Sequence, residues 1–532
     1  MKQLLSTLNA KQGFRAFAIA CSLLIGLPGC GIPKLQKPLP ASTAPPDFFL
    51  PDNFRSENPC DNSAFDGTHE FFTDPNLTTL FDQALFGNQE LRILAQDIQI
   101  ANNEIMRRRG ILFPFINFGG KASLDKLSTY TPQGADLGQI VTPAGGPFPN
   151  PLPNFLIAAD VSWQIDIWKQ LRNARDSAGL RYLGTIDGRN YVVTRLIAEI
   201  AENYYKLMAL DARLENLDRT ITLQEQSLQI AIARKEAARD TELAVQRFQA
   251  EVRKNQSEKL IIYQDIIETE NRINFLCGRY PQPVARDQAV FIDLNLHALK
   301  VGVPAQLLQN RPDIREAERE LAASGLDVRV ARANFFPKLT ITGGVGYEAF
   351  NSKYLFVTPE SLVYGVAGNL VAPVINRSAI RAEYLTANAM QLQALYDYQR
   401  TILDAFTEVV NRVSKVQNYS ESIVIKKQQL ESLETAVAVS SNLFQNARVE
   451  YIDVLFAQRD RNYARMVFID TKKEQLSAIV NAYQALGGGW QTRIPGTESI
   501  GVEGVTMPPE VEVVPPPRNN DVPLPPPPPN KP

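Results

Sequence analysis

Residues 161–167 read VSWQIDI: Val161, Trp163, Ile165 and Ile167 are apolar, while Ser162, Gln164 and Asp166 between them are polar. Successive side chains of a strand point to opposite faces, so a period of two marks a strand with one apolar and one polar side. The alternation recurs at Ile116, Phe118, Ala122 and Leu124 against Asn117, Lys121, Ser123 and Asp125. It returns at Leu339, Ile341, Val345 and Tyr347 against Thr340, Thr342 and Glu348, and again at Leu362, Tyr364, Val366, Leu370 and Ala372. The reading predicts strands over 113–125, 155–167, 337–349 and 361–374. Trp163 and Trp168 fit either an interfacial or a core position.

Outward from these runs the chain repeats itself. Gln89-Glu90-Leu91-Arg92 leads to Phe113-Pro114, and Pro312-Asp313-Ile314-Arg315 leads to Phe336-Pro337, 223 residues further on in each case. Leu276-Cys277-Gly278 is answered by Ala485-Leu486-Gly487 at an offset of 209. The difference falls in the Pro/Gly-rich stretch 131–153, which the second half lacks. The body is therefore a duplication, with repeats over 71–280 and 303–490 joined by 281–302.

Each pair of strands is followed by a long helical pattern. Val193, Leu196, Ile200, Tyr204, Leu207, Leu210, Leu214, Leu217 and Ile221 recur near every 3.5 residues, the period of a supercoiling seam. Leu392, Leu395, Ile402, Phe406, Val409, Val413 and Val416 repeat it. No Pro interrupts 170–280 or 376–494. Such stretches must fold back as hairpins, predicted over 170–278 and 377–487, with reversals at Ala238-Arg239-Asp240 and Ala447-Arg448-Val449. Both reversals lack the Gly that a tight turn favours.

Composition narrows the function. The 532 residues carry 55 Lys+Arg against 57 Asp+Glu, a formal net charge of -2, which gives no support to nucleic-acid binding. Two His and four Cys are too few for a His- or Cys-based metal cluster or a Ser/His/Asp triad, so no enzymatic activity and no cofactor are expected. His69, beside Asp66 and Glu70, reads as a solvated loop residue. Beyond the N-terminus no apolar run is long enough to span a membrane as a helix. The fold class is mainly α with a β-barrel part. Four strands cannot close a barrel alone, and an open sheet edge is not tolerated in lipid, so several chains are expected to share one barrel.

Lys2, Lys11 and Arg15 precede an apolar run from Phe14 to Ile25, the pattern of a secretory signal over 1–29. The run ends Leu27-Pro28-Gly29-Cys30, which resembles the lipobox of bacterial lipoproteins, with Cys30 as the lipid attachment site and 30–70 as an anchored linker. Cys21 falls in the removed peptide. Cys60 and Cys277 remain; Cys277, at an apolar helical position, reads as a small hydrophobe.

Val303-Pro304 followed by NRPDIREAERELAASGLDVRVARANFFPKLTITG (310–343) resembles the signature of the TolC-like outer-membrane efflux proteins. VSWQIDIW (161–168), YQRTILDAFTEV (398–409), DVLFAQR (453–459) and YQALGGGW (483–490) are similar to that family's other recurring blocks. With Cys30 the resemblance is to the lipoprotein branch that serves resistance–nodulation–division pumps. It implies a homotrimer in the outer membrane: a 12-stranded barrel continued by a 12-helix barrel across the periplasm. It also implies docking to a periplasmic adaptor (membrane fusion) protein and an inner-membrane pump, with passage of small molecules. Exit of a secreted protein, as in type I secretion, uses the same fold, and a non-pore coiled-coil scaffold is the alternative from another class.

The resemblance also assigns residues. The hairpin tips, Ala238, Arg239 and Asp240 in one and Ala447, Arg448 and Val449 in the other, would meet the adaptor; the family's usual tip glycine is replaced by Ala in both. Asp453 and Phe456 would line the periplasmic gate, with Arg448 and Arg459 as candidate partners for Asp453. The tail, 491–532, holds 12 Pro from Pro508 onward and is expected to stay disordered or polyproline-like.

Overall fold

The computed structural model describes residues 32–39, 48, 62–142, 145–238, 241–287, 291–296, 299–373, 377–446 and 448–491. The signal segment, Cys30, Cys60, Arg239, Asp240, Ala447 and nearly all of the tail lie outside the described residues. The elements run α1 (Pro75–Gly87), α2 (Gln89–Gly110), β1 (Phe115–Asp125), β2 (Leu152–Ile165), α3 (Gln170–Glu236), α4 (Glu242–Leu276), α5 (Pro312–Ala333), β3 (Lys338–Ala349), β4 (Leu362–Val371), α6 (Ser378–Gln445) and α7 (Tyr451–Ala485).

The strands form one antiparallel sheet in the order β1-β2-β3-β4. Its boundaries differ from the sequence expectation for local reasons. Phe113 and Pro114 lie outside β1: Phe113 N–H turns back to the Gly110 carbonyl at 3.1 Å, and Pro114 has no N–H to offer a ladder. β2 begins at Leu152 and stops at Ile165, because the Asp166 carboxylate accepts from the backbone N–H groups of Leu171 and Arg172, both at 3.0 Å, and caps α3. The enlarged stretch between β1 and β2 holds a short helix, Pro132–Leu137, rather than irregular chain throughout. His69 sits on a one-turn helix, Thr68–Phe71, not in a loop, and its Nε2 lies 3.2 Å from Asp82.

The helices form a wall four wide at two levels. Near the strands α2 packs on α3, α3 on α5 and α5 on α6; further away α4 packs on α3, α3 on α7 and α7 on α6. The 67-residue α3 and 68-residue α6 pass through both levels, each about 100 Å long at 1.5 Å per residue. The first helical seam is the packing surface of α3: Val193, Leu196, Ile200, Tyr204, Leu207, Leu210, Leu217 and Ile221 are buried and Leu214 half-buried.

The shorter helices meet end to end. The Asn88 carboxamide accepts from Leu91 N–H (3.0 Å), capping α2, and donates to the Leu276 carbonyl at the end of α4 (2.8 Å). In the second repeat its counterpart is Arg311, whose guanidinium donates to the Ala485 carbonyl at the end of α7 (2.9 Å), to Asp313 (2.7 Å) and to Glu408 (2.8 Å). Burial works against the Arg311 charge, but Asp313 and Glu408 more than offset it and raise its pKa. Gly278 (φ 69°) and Gly487 (φ 89°) end α4 and α7 in the left-handed conformation, and the Gly87 and Asn310 carbonyls, just ahead of α2 and α5, stand where a Cβ would be. Trp490 Nε1 donates to the Asn310 carbonyl (2.9 Å) across the second joint.

Around the joints the connecting segment is tied down by Arg286, which pairs with Asp211 of α3 and Glu270 of α4. Phe71 stacks on Tyr483 with centroids 4.1 Å apart, and Tyr483 Oη donates to the Asp66 carbonyl. Cys277 is 3% exposed and free, and burial pushes its thiol up to about 11, with Arg279 pulling the other way.

Both joint residues are expected to be structural. Asn88→Ala removes one cap and one carbonyl partner and should cost about 1–2 kcal/mol. Arg311→Met leaves Asp313 and Glu408 without their shared cation and should cost more, about 2–4 kcal/mol given their partial exposure. Thermal unfolding of the detergent-solubilised protein should give midpoints in the order wild type, Asn88→Ala, Arg311→Met; equal midpoints would contradict a role for the joints.

Candidate functional site

The register of the sheet sorts its side chains into two faces. Directly opposed residues share a face, and the pairs Phe118↔Ala159, Val161↔Gly343, Ile341↔Gly368 and Val345↔Tyr364 carry one face across all four strands. Every residue on that face is apolar or Gly, from Ile116 and Leu124 on β1 to Leu362 and Leu370 on β4. The other face carries Asn117, Lys121, Asp160, Gln164, Thr342 and Glu348 among small residues at mid-sheet, with Phe115, Leu152, Leu156, Val363 and Val371 nearer the strand ends. Asp160 folds over Gly344, where a Cβ would lie 2.6 Å from its Oδ1, so Gly keeps room for this carboxylate at mid-strand. Asn154 Nδ2 donates to Glu348 Oε1 at 2.7 Å on the same face.

The apolar face ends at a level marked by tryptophans. Trp163 Nε1 donates to the Leu112 carbonyl (3.0 Å), and Trp168 Nε1 to the Pro337 carbonyl (2.8 Å) while its ring stacks on Phe336 at 4.7 Å. Trp163 and Trp168 are 37% and 44% exposed, so neither lies in the core of the protomer.

At the opposite end, α3 stops at Glu236 and α4 starts at Glu242, while α6 stops at Gln445 and α7 starts at Tyr451. Ala238 sits at φ 56°, in the left-handed region where a Cβ is strained. Arg448 is exposed, its N–H bonded to the Leu443 carbonyl at 2.9 Å, and Val449 is half-buried. The two tips touch: Leu455 packs with Ala231, Val245 and Phe248, and the Arg234 guanidinium lies 4.4 Å over the Phe444 ring. Gln246 and Lys235 hold the Glu242 carboxyl below its usual range.

With Leu455 buried against the first hairpin and Val454 buried beside it in sequence, α7 turns Asp453, Phe456, Asp460 and Tyr463 outward along one stripe. Asp453 and Phe456, expected together from the sequence, share this stripe, and Arg459, a candidate partner for Asp453, stands beside them. Its guanidinium lies 4.9 Å over the Phe456 ring and pairs with Asp460 at 3.2 Å, so within the protomer it does not serve Asp453. Among the described residues, Asp453 forms no ion pair and no three His, Cys, Asp or Glu side chains are placed to hold a metal. Likewise none of the described helices is long and apolar enough to cross a membrane. A sheet with one apolar face, continued by a helical wall whose far end carries a carboxylate and an aromatic ring, is suited to conduction.

Comparison with known proteins points the same way. A family model described as "Outer membrane efflux protein" matches residues 80–279 and 303–488. The chain is similar to the cation efflux system protein CusC of Escherichia coli O6:H1 (strain CFT073), 26% identical over 478 residues, which span 88% of this chain and 99% of that one. It is 30% identical over 426 residues to the pyoverdine export outer membrane protein OpmQ of Pseudomonas putida (strain KT2440), spanning 80% of this chain and 88% of that one. Among solved structures, the outer-membrane channel OprN matches with a TM-score of 0.75 at 25% identity, over 86% of this chain and 99% of that one.

The strained tip yields a direct expectation. Ala238→Gly removes the Cβ clash of a left-handed residue and should stabilise the closed tip by about 1 kcal/mol. Amide exchange from Lys235 to Ala244 should slow severalfold; faster exchange than in the wild type would contradict the strained geometry.

Proposed function

The chain belongs to the outer membrane efflux protein family, and on that footing we propose that it is the exit duct of a tripartite efflux system, passing small molecules delivered by an inner-membrane pump through a periplasmic adaptor. Its fold is TolC-like and it is an outer-membrane channel protein that projects into the periplasm. The observation that carries the reading is the sheet: four strands, two unpaired edges and one wholly apolar face. In lipid such a sheet must close, and three copies give a barrel of 12 strands whose polar face, with Asp160 and Lys121, surrounds water.

The helical wall supports the same assembly. Its two borders are apolar yet open: Phe86, Ile93 and Ile100 recur at intervals of seven on the α2 side, and Leu385 and Leu403 stand out along α6. In the homotrimer we propose, the α2/α4 border of one protomer covers the α6/α7 border of the next. Cys30 is the proposed lipid anchor, and the two hairpin tips, with Ala238 and Arg448, are the proposed contact with the adaptor. A resistance–nodulation–division pump is the proposed partner in the inner membrane.

At the periplasmic end, three copies of Asp453 would converge on the axis with Phe456 one turn away. Like charges gathered on an axis concentrate cations and repel each other, which favours cation passage through a narrow gate. The protein in planar bilayers should form channels, and Asp453→Ala should raise conductance and reduce cation preference. Channels with unchanged conductance and selectivity would leave Asp453 a helix-end residue, worth ~0.3–1 kcal/mol; absence of any channel would contradict the duct itself.

A further inference from the structure

Residues 32–39 and Phe48, ahead of the first repeat, lie along α6. Ile32 packs against Val328, Ala331, Phe335 and Tyr384. The Gln36 N–H donates to Asn388 Oδ1 at 2.9 Å, and the Leu39 N–H to Tyr396 Oη at 3.4 Å. Phe48, 2% exposed, stacks on Phe406 with centroids 5.2 Å apart. Numbers rise together along both partners, so this strap runs parallel to α6 and away from the strands.

The strap begins among cations. Tyr384 and Asn388 lie one turn apart on α6, and Arg381 and Arg377 extend the same face toward the sheet at positions three and seven residues before Tyr384. The strap adds Lys34 and Lys37. Lys34, Lys37 and Arg381 are exposed, and among the described residues none of them pairs with a carboxylate. Arg377 Nε donates to the Pro373 carbonyl at 2.7 Å, two residues beyond the end of β4. The carboxylate nearest in sequence, Glu383, accepts from Asn334 Nδ2 at 3.0 Å on the α5 side.

Depth makes this cluster informative. Arg377 is fastened to a strand end, and Arg381 lies one turn further, about 6 Å at 1.5 Å per residue. Ile32 rests on Phe335, next to the Phe336 on which Trp168 stacks. Arg377 and Arg381 therefore sit just past the tryptophan level, where headgroup phosphates of the periplasmic leaflet would lie, and the backbone of Lys34 and Lys37 follows about 10–17 Å beyond Arg377 along α6, within reach of long side chains.

We infer that Lys34, Lys37, Arg377 and Arg381 form a seat for anionic phospholipid headgroups, so that the strap reads the lipid surface beside the barrel. This rests on the membrane-spanning reading of the sheet given above. Guanidinium groups suit phosphate geometry, and unneutralised cations beside an apolar belt favour a negative surface over a zwitterionic one. Lipid A phosphates belong to the opposite leaflet, at the far ends of the strands, so the occupant assigned is phospholipid.

The test uses the full-length protein in mild detergent, titrated with phosphatidylglycerol or phosphatidylcholine and read by native mass spectrometry. Wild type should prefer phosphatidylglycerol, and Lys34→Gln/Lys37→Gln/Arg381→Gln should lose at least tenfold in that affinity with phosphatidylcholine unchanged. Lys426→Gln/Lys427→Gln, further along α6, should behave as wild type. Insertion of the same preparations into planar bilayers separates the two levels of failure. Channels from all variants with no phosphatidylglycerol preference, or an equal one, overturn the lipid seat alone. Failure of wild type to insert overturns it together with the membrane reading. Retention of an acidic periplasmic protein, lost in the triple variant while lipid binding is unaltered, would overturn it in favour of a protein partner.

Discussion

Two helix ends that meet without a gap hold this architecture together. The last carbonyls of an α-helix have no partner within it, and the first N–H groups are equally orphaned. Here one side chain answers both needs, or replaces them with charge: Asn88 caps α2 and serves Leu276 at the end of α4, and Arg311 serves Ala485 at the end of α7 while holding Asp313 and Glu408. The left-handed glycines 278 and 487 bring the ends into contact. Because the short helices abut in this way, the wall stays four helices wide past the points where they end, and only α3 and α6 need run its length.

Continuity of the wall links sheet to tip. A sheet whose register gives one unbroken apolar face passes at the tryptophan level into helices that bury their seams on each other and leave their borders open. Arg286, Phe71 and Tyr483 brace the middle. At the far end Leu455, wedged between the two hairpins, fixes which side of α7 faces outward and so presents Asp453 and Phe456 together. The position of the candidate gate thus follows from helix packing, with no loop required to place it.

Much of this was legible in the amino-acid order. Alternation located the strands because the buried and exposed faces of a sheet differ in chemistry, and the near-3.5-residue seam located α3 and α6. Strand ends were less legible: Pro114 and Asp166 decide them through a missing donor and a helix cap, effects that hydrophobic periodicity does not register. The joints were missed. Asn88 and Leu276 are 188 residues apart, and Arg311 and Ala485 are 174 apart, so the bonds between them leave no local pattern. The signal that was available lay in the duplication: Asn88 and Arg311 share one offset, and Leu276 and Ala485 share the other. Arg459, one of two candidate partners for Asp453, is held within the protomer by its neighbours Phe456 and Asp460, a local competition that the sequence reading did not weigh. Ala238 stands in the left-handed conformation at a reversal where the sequence lacks the Gly that such a conformation favours.

The account makes the single chain an incomplete object: its sheet, its helical wall and its charged stripe are each one part of a closed tube. Native mass spectrometry of the full-length protein released from detergent tests this most directly. The predicted result is a single assembly of three times the mass of the mature, lipidated chain. A stable species of one copy, or a closed assembly of another number, would contradict it.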